Sequence, residues 1–294
     1  MDGVFSMKKD MLIVKTPFFE KEIARNGCNC IPLYKSYSKF PLRLGNLTRN
    51  LHCFCKYNLN PLLEKIDECT IVVFDGGTKN NTLEWLAERY RNKRLIFYYW
   101  NPVSLSLDPS RIPKSFEKWS YSPWDCNKYN LKYNSTFFFP ELVGKYEDSL
   151  IKNDVFFVGK NKGRKAMLSQ YEHFFHERGL KTEFVIIEKT GKHLPYFEII
   201  KKDLGSRAIF DYYTNPRAGL SLRAMESIFM EKKLITNNSS VVEYDFYNPK
   251  NIFVIGQRSN DELNAFIETP YEPVSDSIVE KYTFSSWVKR FHDF

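Results

Sequence analysis

The stretch DVFFVGKNKGRKAMLSQYEHFFHERG, residues 154–179, decides how the second half of this chain folds. Its opening run, DVFFVG at 154–159, is short, apolar and rich in aromatic and β-branched residues, the composition of a buried strand. From Lys165 to Arg178 the apolar residues Met167, Leu168, Tyr171, Phe174 and Phe175 recur at helical spacing, and Gly179 supplies a stop. Between strand and helix lies Gly159-Lys160-Asn161-Lys162-Gly163-Arg164. Glycines allow close backbone approach, a helix N-terminus offers unpaired N–H groups, and Lys160, Lys162 and Arg164 add positive charge. A diphosphate suits such a loop. It matches neither a Walker A loop nor a G-x-G-x-x-G fingerprint, so ATP hydrolysis and dinucleotide binding lose support. A solvated basic turn is the plain alternative.

Downstream, strand and helix continue to alternate. EFVII at 183–187, AIFDYY at 208–213, KLIT at 233–236 and NIFVI at 251–255 read as strands. YFEIIKKDL at 196–204, Leu220–Lys232 with Leu222, Met225, Ile228 and Phe229 inward, and DELNAFI at 261–267 read as helices. This order predicts a doubly wound parallel sheet. A terminal helix over 286–294, with Trp287 and Phe291 on one side, is an element able to pack back on the N-terminal domain. A second strand-to-helix loop, 214–219, places Gly219 and Ser221 at a helix start, where N–H groups face an anion. Glu226 lies two turns in, and a carboxylate there can accept both hydroxyls of a ribose. Arg223, one turn before it, suits a phosphate or an ion pair with Glu226; a surface Arg and Glu at i and i+3 is the alternative.

Upstream, MLIVK at 11–15 reads as a strand, PLLEKI at 61–66 as a short helix and TIVVFD at 70–75 as the clearest strand of this half. Gly76-Gly77 breaks it. A helix carrying Leu83, Leu86, Ala87 and Tyr90 leads to the strand RLIFYYW at 94–100, a βαβ unit and therefore another parallel sheet. WSYS at 119–122 is a further strand candidate. A length of 294 residues exceeds the ~100–200 of one domain. The expectation is an α/β protein with an N-terminal domain over 1–150 and a C-terminal domain over 151–294. Asp75, ending its strand before two glycines, is a candidate general base and equally a turn-capping aspartate. Trp100, Asn101 and Asp125 are candidate acceptor contacts, with a buried core Trp as the commoner reading.

Composition narrows the classes. With 25 Phe and 18 Tyr the chain is globular, and 43 Lys and Arg against 35 Asp and Glu give a net charge of +8 that favours an anionic partner. No nucleic-acid motif accompanies the charge, so nucleic acid is not expected. No apolar run of about 18 residues is present and Met1–Asp10 has no apolar core, which predicts a cytoplasmic protein, with its basic surface suited to peripheral contact with an anionic membrane. Cys28 and Cys30 in CNC, and Cys53 and Cys55 in CFC, are spaced too tightly for a usual zinc site and read as reduced thiols, as do Cys69 and Cys126. His52, His173, His176, His193 and His292 form no metal-ligand spacing, so no metal is expected.

The stretch DYYTNPRAGLSLRAMESIFMEKKLITNNSSVVEYDFYNPKNIFVIG, residues 211–256, resembles the donor-binding half of GT-B glycosyltransferases that build bacterial capsule and lipopolysaccharide. FDGG at 74–77, YYWNP at 98–102 and SPWDCNKYNLKYN at 122–134 extend the resemblance into the first half. It implies two Rossmann-like domains with a cleft between them, and transfer of a sugar from a nucleotide diphosphate sugar to a lipid-linked or growing glycan acceptor held by the N-terminal domain. It assigns Gly159, Lys160, Lys162, Arg164, Asp211, Gly219, Leu220, Arg223 and Glu226 to the donor, with Glu226 on the ribose, and needs neither metal nor cofactor. Many retaining members carry a second acidic residue eight positions before this Glu; here it is Ala218, which leaves retention or inversion open. A nucleotide-sugar epimerase and a catalytically silent nucleotide- or glycan-binding subunit are the competing functions.

Overall fold

The computed structural model describes residues 11–14, 19–35, 59–144, 150–188, 194–214 and 219–293. The chain divides into two compact units, Met1–Ser135 and Thr136–Phe294, so 136–150 groups with the second. Lys15, His52, Cys53, Cys55, His193 and Asn215–Ala218 lie outside the described residues.

In the first unit β1 (Met11–Val14), β2 (Asn29–Ile31), β3 (Thr70–Phe74), β4 (Arg94–Tyr99), β5 (Phe116–Ser120) and β6 (Lys132–Tyr133) form one sheet. Their order is β2-β1-β3-β4-β5-β6, with every pairing parallel. Every residue of β1 and β3 is buried, which is why both read as unbroken apolar runs rather than alternating ones. Helices α1 (Glu20–Arg25), α2 (Asn80–Arg89) and α3 (Pro123–Tyr129) accompany the sheet. PLLEKI forms only a 3₁₀ turn, Pro61–Glu64, opened by the Asn60 side chain accepting from the Leu62 N–H. The strand sought at WSYS begins earlier, at Phe116, and ends at Ser120. β2 and α1 fall in a polar stretch that showed no period, because β2 has three half-buried residues and α1 buries only Ile23.

In the second unit β7 (Asn153–Lys160), β8 (Thr182–Ile187), β9 (Ser206–Asp211), β10 (Lys233–Thr236) and β11 (Ile252–Val254) run in the order β11-β10-β9-β7-β8, again all parallel. Helices α4 (Lys165–Glu177), α5 (Tyr196–Leu204), α6 (Leu222–Phe229), α7 (Leu263–Glu268), α8 (Asp276–Val279) and α9 (Phe284–Arg290) complete it. On one face Phe157, Tyr171, Phe175, Phe184 and Phe210 pack ring against ring, with Phe210 5.1 Å from Tyr171, 5.3 Å from Phe175 and 5.5 Å from Phe184. Gly179, at φ 73°, ends α4 in the left-handed turn that a side chain would strain. The terminal helix packs on residues of the second unit itself. Phe137 lies 4.7 Å from Trp287 and Phe139 stacks 4.9 Å from Phe284, so this helix is held by the run that opens the second unit.

Candidate functional site

In the second sheet β8 lies on one side of β7 and β9 on the other, so the strand order reverses at β7 and β9. An open α/β sheet binds ligands beyond the carboxyl ends of the strands at such a switch point. Here the two strands part. Pairing of β7 with β9 ends at Phe156 and Ile209, whereas pairing with β8 continues to Lys160 and Ile187. The Val158 carbonyl, freed from β9, accepts instead from Arg223, at 3.1 Å from Nε and 2.9 Å from Nη2.

Arg223 is anchored from a second side by Asp211, whose Oδ1 accepts from Nη1 at 3.0 Å. Asp211 ends β9, is 2% exposed, and also accepts from the Ser221 hydroxyl at the start of α6. Arg164 reaches across from the β7 loop to donate to the Tyr212 carbonyl. Both guanidiniums lie over the buried Phe157 ring, Arg164 at 5.3 Å and Arg223 at 5.1 Å from its centroid. They converge on Gly159. A Cβ there would stand 2.7 Å from Nη2 of Arg223 and 2.8 Å from Nη2 of Arg164.

Arg164, Arg223 and Lys162 lie close enough to repel one another. Burial and repulsion from Arg223 push Arg164 down to about 10, and Lys162, exposed overall, is lowered by lost hydration and by repulsion from Arg164, Arg223 and Lys160. The loop is shaped by left-handed backbone at Lys162 (φ 46°) and Gly163 (φ 79°), and the Asn161 side chain accepts from the Lys165 N–H at 3.0 Å. Lys160 is exposed beside it. The start of α6 is more occupied than its sequence suggests. The Ser221 N–H donates to the Tyr213 hydroxyl at 2.7 Å, Gly219 is buried, and the buried Leu220 accepts through its carbonyl from Thr136 at 2.7 Å.

Glu226 is 2% exposed and accepts from the Tyr196 hydroxyl at 2.8 Å on Oε1. The ion pair of Arg223 is with Asp211, not Glu226. Burial lifts the Glu226 carboxyl to about 7 against the hydrogen bond from Tyr196 and the charge of Arg223. Asp203, 1% exposed on α5, is raised well above the carboxylate range by burial and by Glu226.

At the first sheet's own switch point, between β1 and β3, Asp75 follows β3. It is 5% exposed; Oδ1 accepts from the Trp100 N–H at 3.1 Å, and the Asn101 amide donates to both oxygens at 3.2 Å. Burial raises its carboxyl despite these donors. Asp125 accepts from the Val103 N–H at 3.0 Å. Two buried carboxylates therefore hold the one loop that carries the half-buried Trp100 and Asn101, and Trp100 packs 5.7 Å from Phe74.

The solved apo structure of the lipopolysaccharide outer core galactosyltransferase WaaB resembles this chain with a TM-score of 0.52, over 96% of this chain and 97% of that one, at 12% sequence identity. The fold is GT-B. A second GT-B neighbour, the spinosyn forosaminyltransferase SpnP, is matched over 96% of this chain and 85% of its own at 12% identity, with a TM-score of 0.40. No family model and no curated protein sequence matches. Among the described residues of this GT-B chain no cluster of three or more His, Cys, Asp or Glu could hold a metal ion, and no helix is long and apolar enough to cross a membrane. Burial pushes the Cys28 thiol up to about 11 and Cys126 to about 12, so neither is a ready nucleophile. Three residues around Glu226 and Ser221 in the second unit escaped sequence reading: Tyr196, Asp203 and Tyr213. Each looks like an ordinary amphipathic or strand-end residue, and only the packing of α5 on α6 and of β9 on the α6 start brings them in.

Proposed function

We propose that this protein is a glycosyltransferase that moves a sugar from a nucleotide diphosphate sugar to a growing surface glycan or lipid-linked acceptor. The observation that carries the reading is the convergence of Arg164 and Arg223 on Gly159 at the switch point of the second sheet, with Lys162 alongside. Cations held by Val158, Asp211 and Tyr212 before any ligand arrives cost little to organise, and they would stabilise the charge that develops on a departing diphosphate. Glu226, one helical turn beyond Arg223, is the proposed ribose partner, and Gly159, Lys160, Gly219 and Leu220 complete the donor contacts. The fold shared with a lipopolysaccharide galactosyltransferase supports the acceptor class.

In an inverting reaction Asp75 would take the proton of the acceptor hydroxyl while that oxygen bonds to the anomeric carbon. The bond from that carbon to the diphosphate breaks, and its electron pair leaves with the nucleoside diphosphate. Burial makes Asp75 a stronger base than a surface aspartate, in the direction general-base catalysis requires. Trp100 and Asn101 would meet the acceptor, and Asp125 shapes their loop through Val103. Ala218, standing where many retaining relatives of this fold carry an acid, favours one other reading, a silent donor-binding subunit.

Calorimetric titration of uridine, guanosine, cytidine and thymidine diphosphates and their sugars against wild type and Arg164→Ala tests the assignment. Binding by one base series that weakens at least ~10-fold in the variant is expected, the loss of one charge-assisted contact. Failure of every nucleotide to bind wild type overturns the donor site, and binding without turnover on any glycan acceptor promotes the silent subunit.

A further inference from the structure

Helix α5 carries Tyr196 and Asp203 seven positions apart, two turns along one helix face. The Tyr196 hydroxyl donates to Oε1 of Glu226 on α6 at 2.8 Å, and among the described residues it is the hydrogen-bond donor to that carboxylate. Asp203 is 1% exposed, and its Oδ2 is buried with no hydrogen-bond partner among the described residues. The charged and titratable groups around the pair are Arg223 on α6, Asp211 on β9, Lys232 after α6 and Tyr196 itself. One helix thus presents a fixed donor to Glu226 and, two turns along, buries an unsatisfied acid.

We propose that Tyr196 is a positioning residue for Glu226, committing one carboxylate oxygen to the protein so that the other meets the ribose diol of the donor. The inference rests on the donor-site reading above. A ribose diol donates two hydrogen bonds, so it needs an ionised acceptor; a neutral Glu226 acid would offer one oxygen as a donor and bind it poorly. Donor binding is therefore coupled to loss of a proton from Glu226, which burial holds to about 7. Tyr196 bonds the ionised form more strongly than the neutral one, so it sets where that loss occurs.

The test is the affinity of wild type, Tyr196→Phe and Glu226→Gln for the nucleotide sugar that binds best, whose diphosphate diester does not titrate in this range, measured calorimetrically from pH 5.5 to 8.5. In wild type the affinity should rise with pH and level off above the midpoint near 7. In Tyr196→Phe the midpoint should move up by about one pH unit, the loss of one hydrogen bond to a charged group, while the plateau affinity changes little. In Glu226→Gln the pH dependence in this window should vanish. A wild-type affinity flat across the range, or a Tyr196→Phe loss equal at every pH with the midpoint unmoved, overturns the inference while leaving the donor site standing. Absence of binding by wild type at every pH overturns the donor site as well. Circular dichroism and melting of each variant separate either result from misfolding.

Discussion

Nη2 of Arg223 occupies the space that a side chain at Gly159 would need, 2.7 Å from an ideal Cβ on that glycine. The nearest atoms are the far ends of two arginines and the edge of Phe157, not backbone. The fold can therefore absorb a methyl group there by swinging the guanidiniums aside, and the cost falls on whatever those guanidiniums hold. Gly159→Ala is expected to lower affinity for the nucleoside diphosphate by ~10-fold or more, about 1.4 kcal/mol, while the melting temperature moves by only a few degrees. Calorimetry beside thermal unfolding decides it, and a variant that loses stability but keeps its affinity would contradict the site.

Stability should depend on pH through Glu226. Its carboxyl is raised from 4.5 to about 7 in the folded chain, so between these values the folded state binds more protons than the unfolded one. Unfolding free energy then falls as pH rises through this window. The contribution is full below about 4.5 and gone above about 7. Glu226→Gln, which cannot ionise, is expected to flatten this part of the curve and to melt higher than wild type at pH 8 in the absence of ligand. Melting of both proteins from pH 4.5 to 8 checks it.

Asp75→Asn keeps an oxygen for the Trp100 N–H but removes the basic carboxylate. The rate of transfer should fall ~10²–10⁴-fold, the span usual for a general base, with affinity for the nucleotide unchanged. Single-turnover assays with donor in excess provide the measurement. A transfer rate near wild type would return Asp75 to the purely structural role its bonds to Trp100 and Asn101 also permit.

Phe210 touches Phe157, Tyr171, Phe175 and Phe184 and is 0% exposed. Phe210→Ala leaves a cavity inside a ring cluster that cannot easily collapse, at a cost of ~3–5 kcal/mol. Urea unfolding followed by tryptophan fluorescence should show this as a lower midpoint with an unchanged slope.

The alternation of strands and helices, the parallel sheets and the glycine-rich cationic loop after DVFFVG were legible in the sequence, because buried parallel strands leave unbroken apolar runs and amphipathic helices leave a period. The same reading marked Arg164, Arg223, Glu226 and Asp75 by their places at strand ends and helix starts. It could not see β2 or α1, whose few half-buried residues carry no pattern. What tertiary structure alone decided was the pairing of charges. Arg223 bonds Asp211 and the Val158 carbonyl rather than its neighbour Glu226, because β7 and β9 part after Phe156 and leave a carbonyl that the guanidinium from α6 reaches. Glu226 in turn accepts from Tyr196 because α5 packs on α6, a contact between residues far apart in sequence that no local spacing encodes.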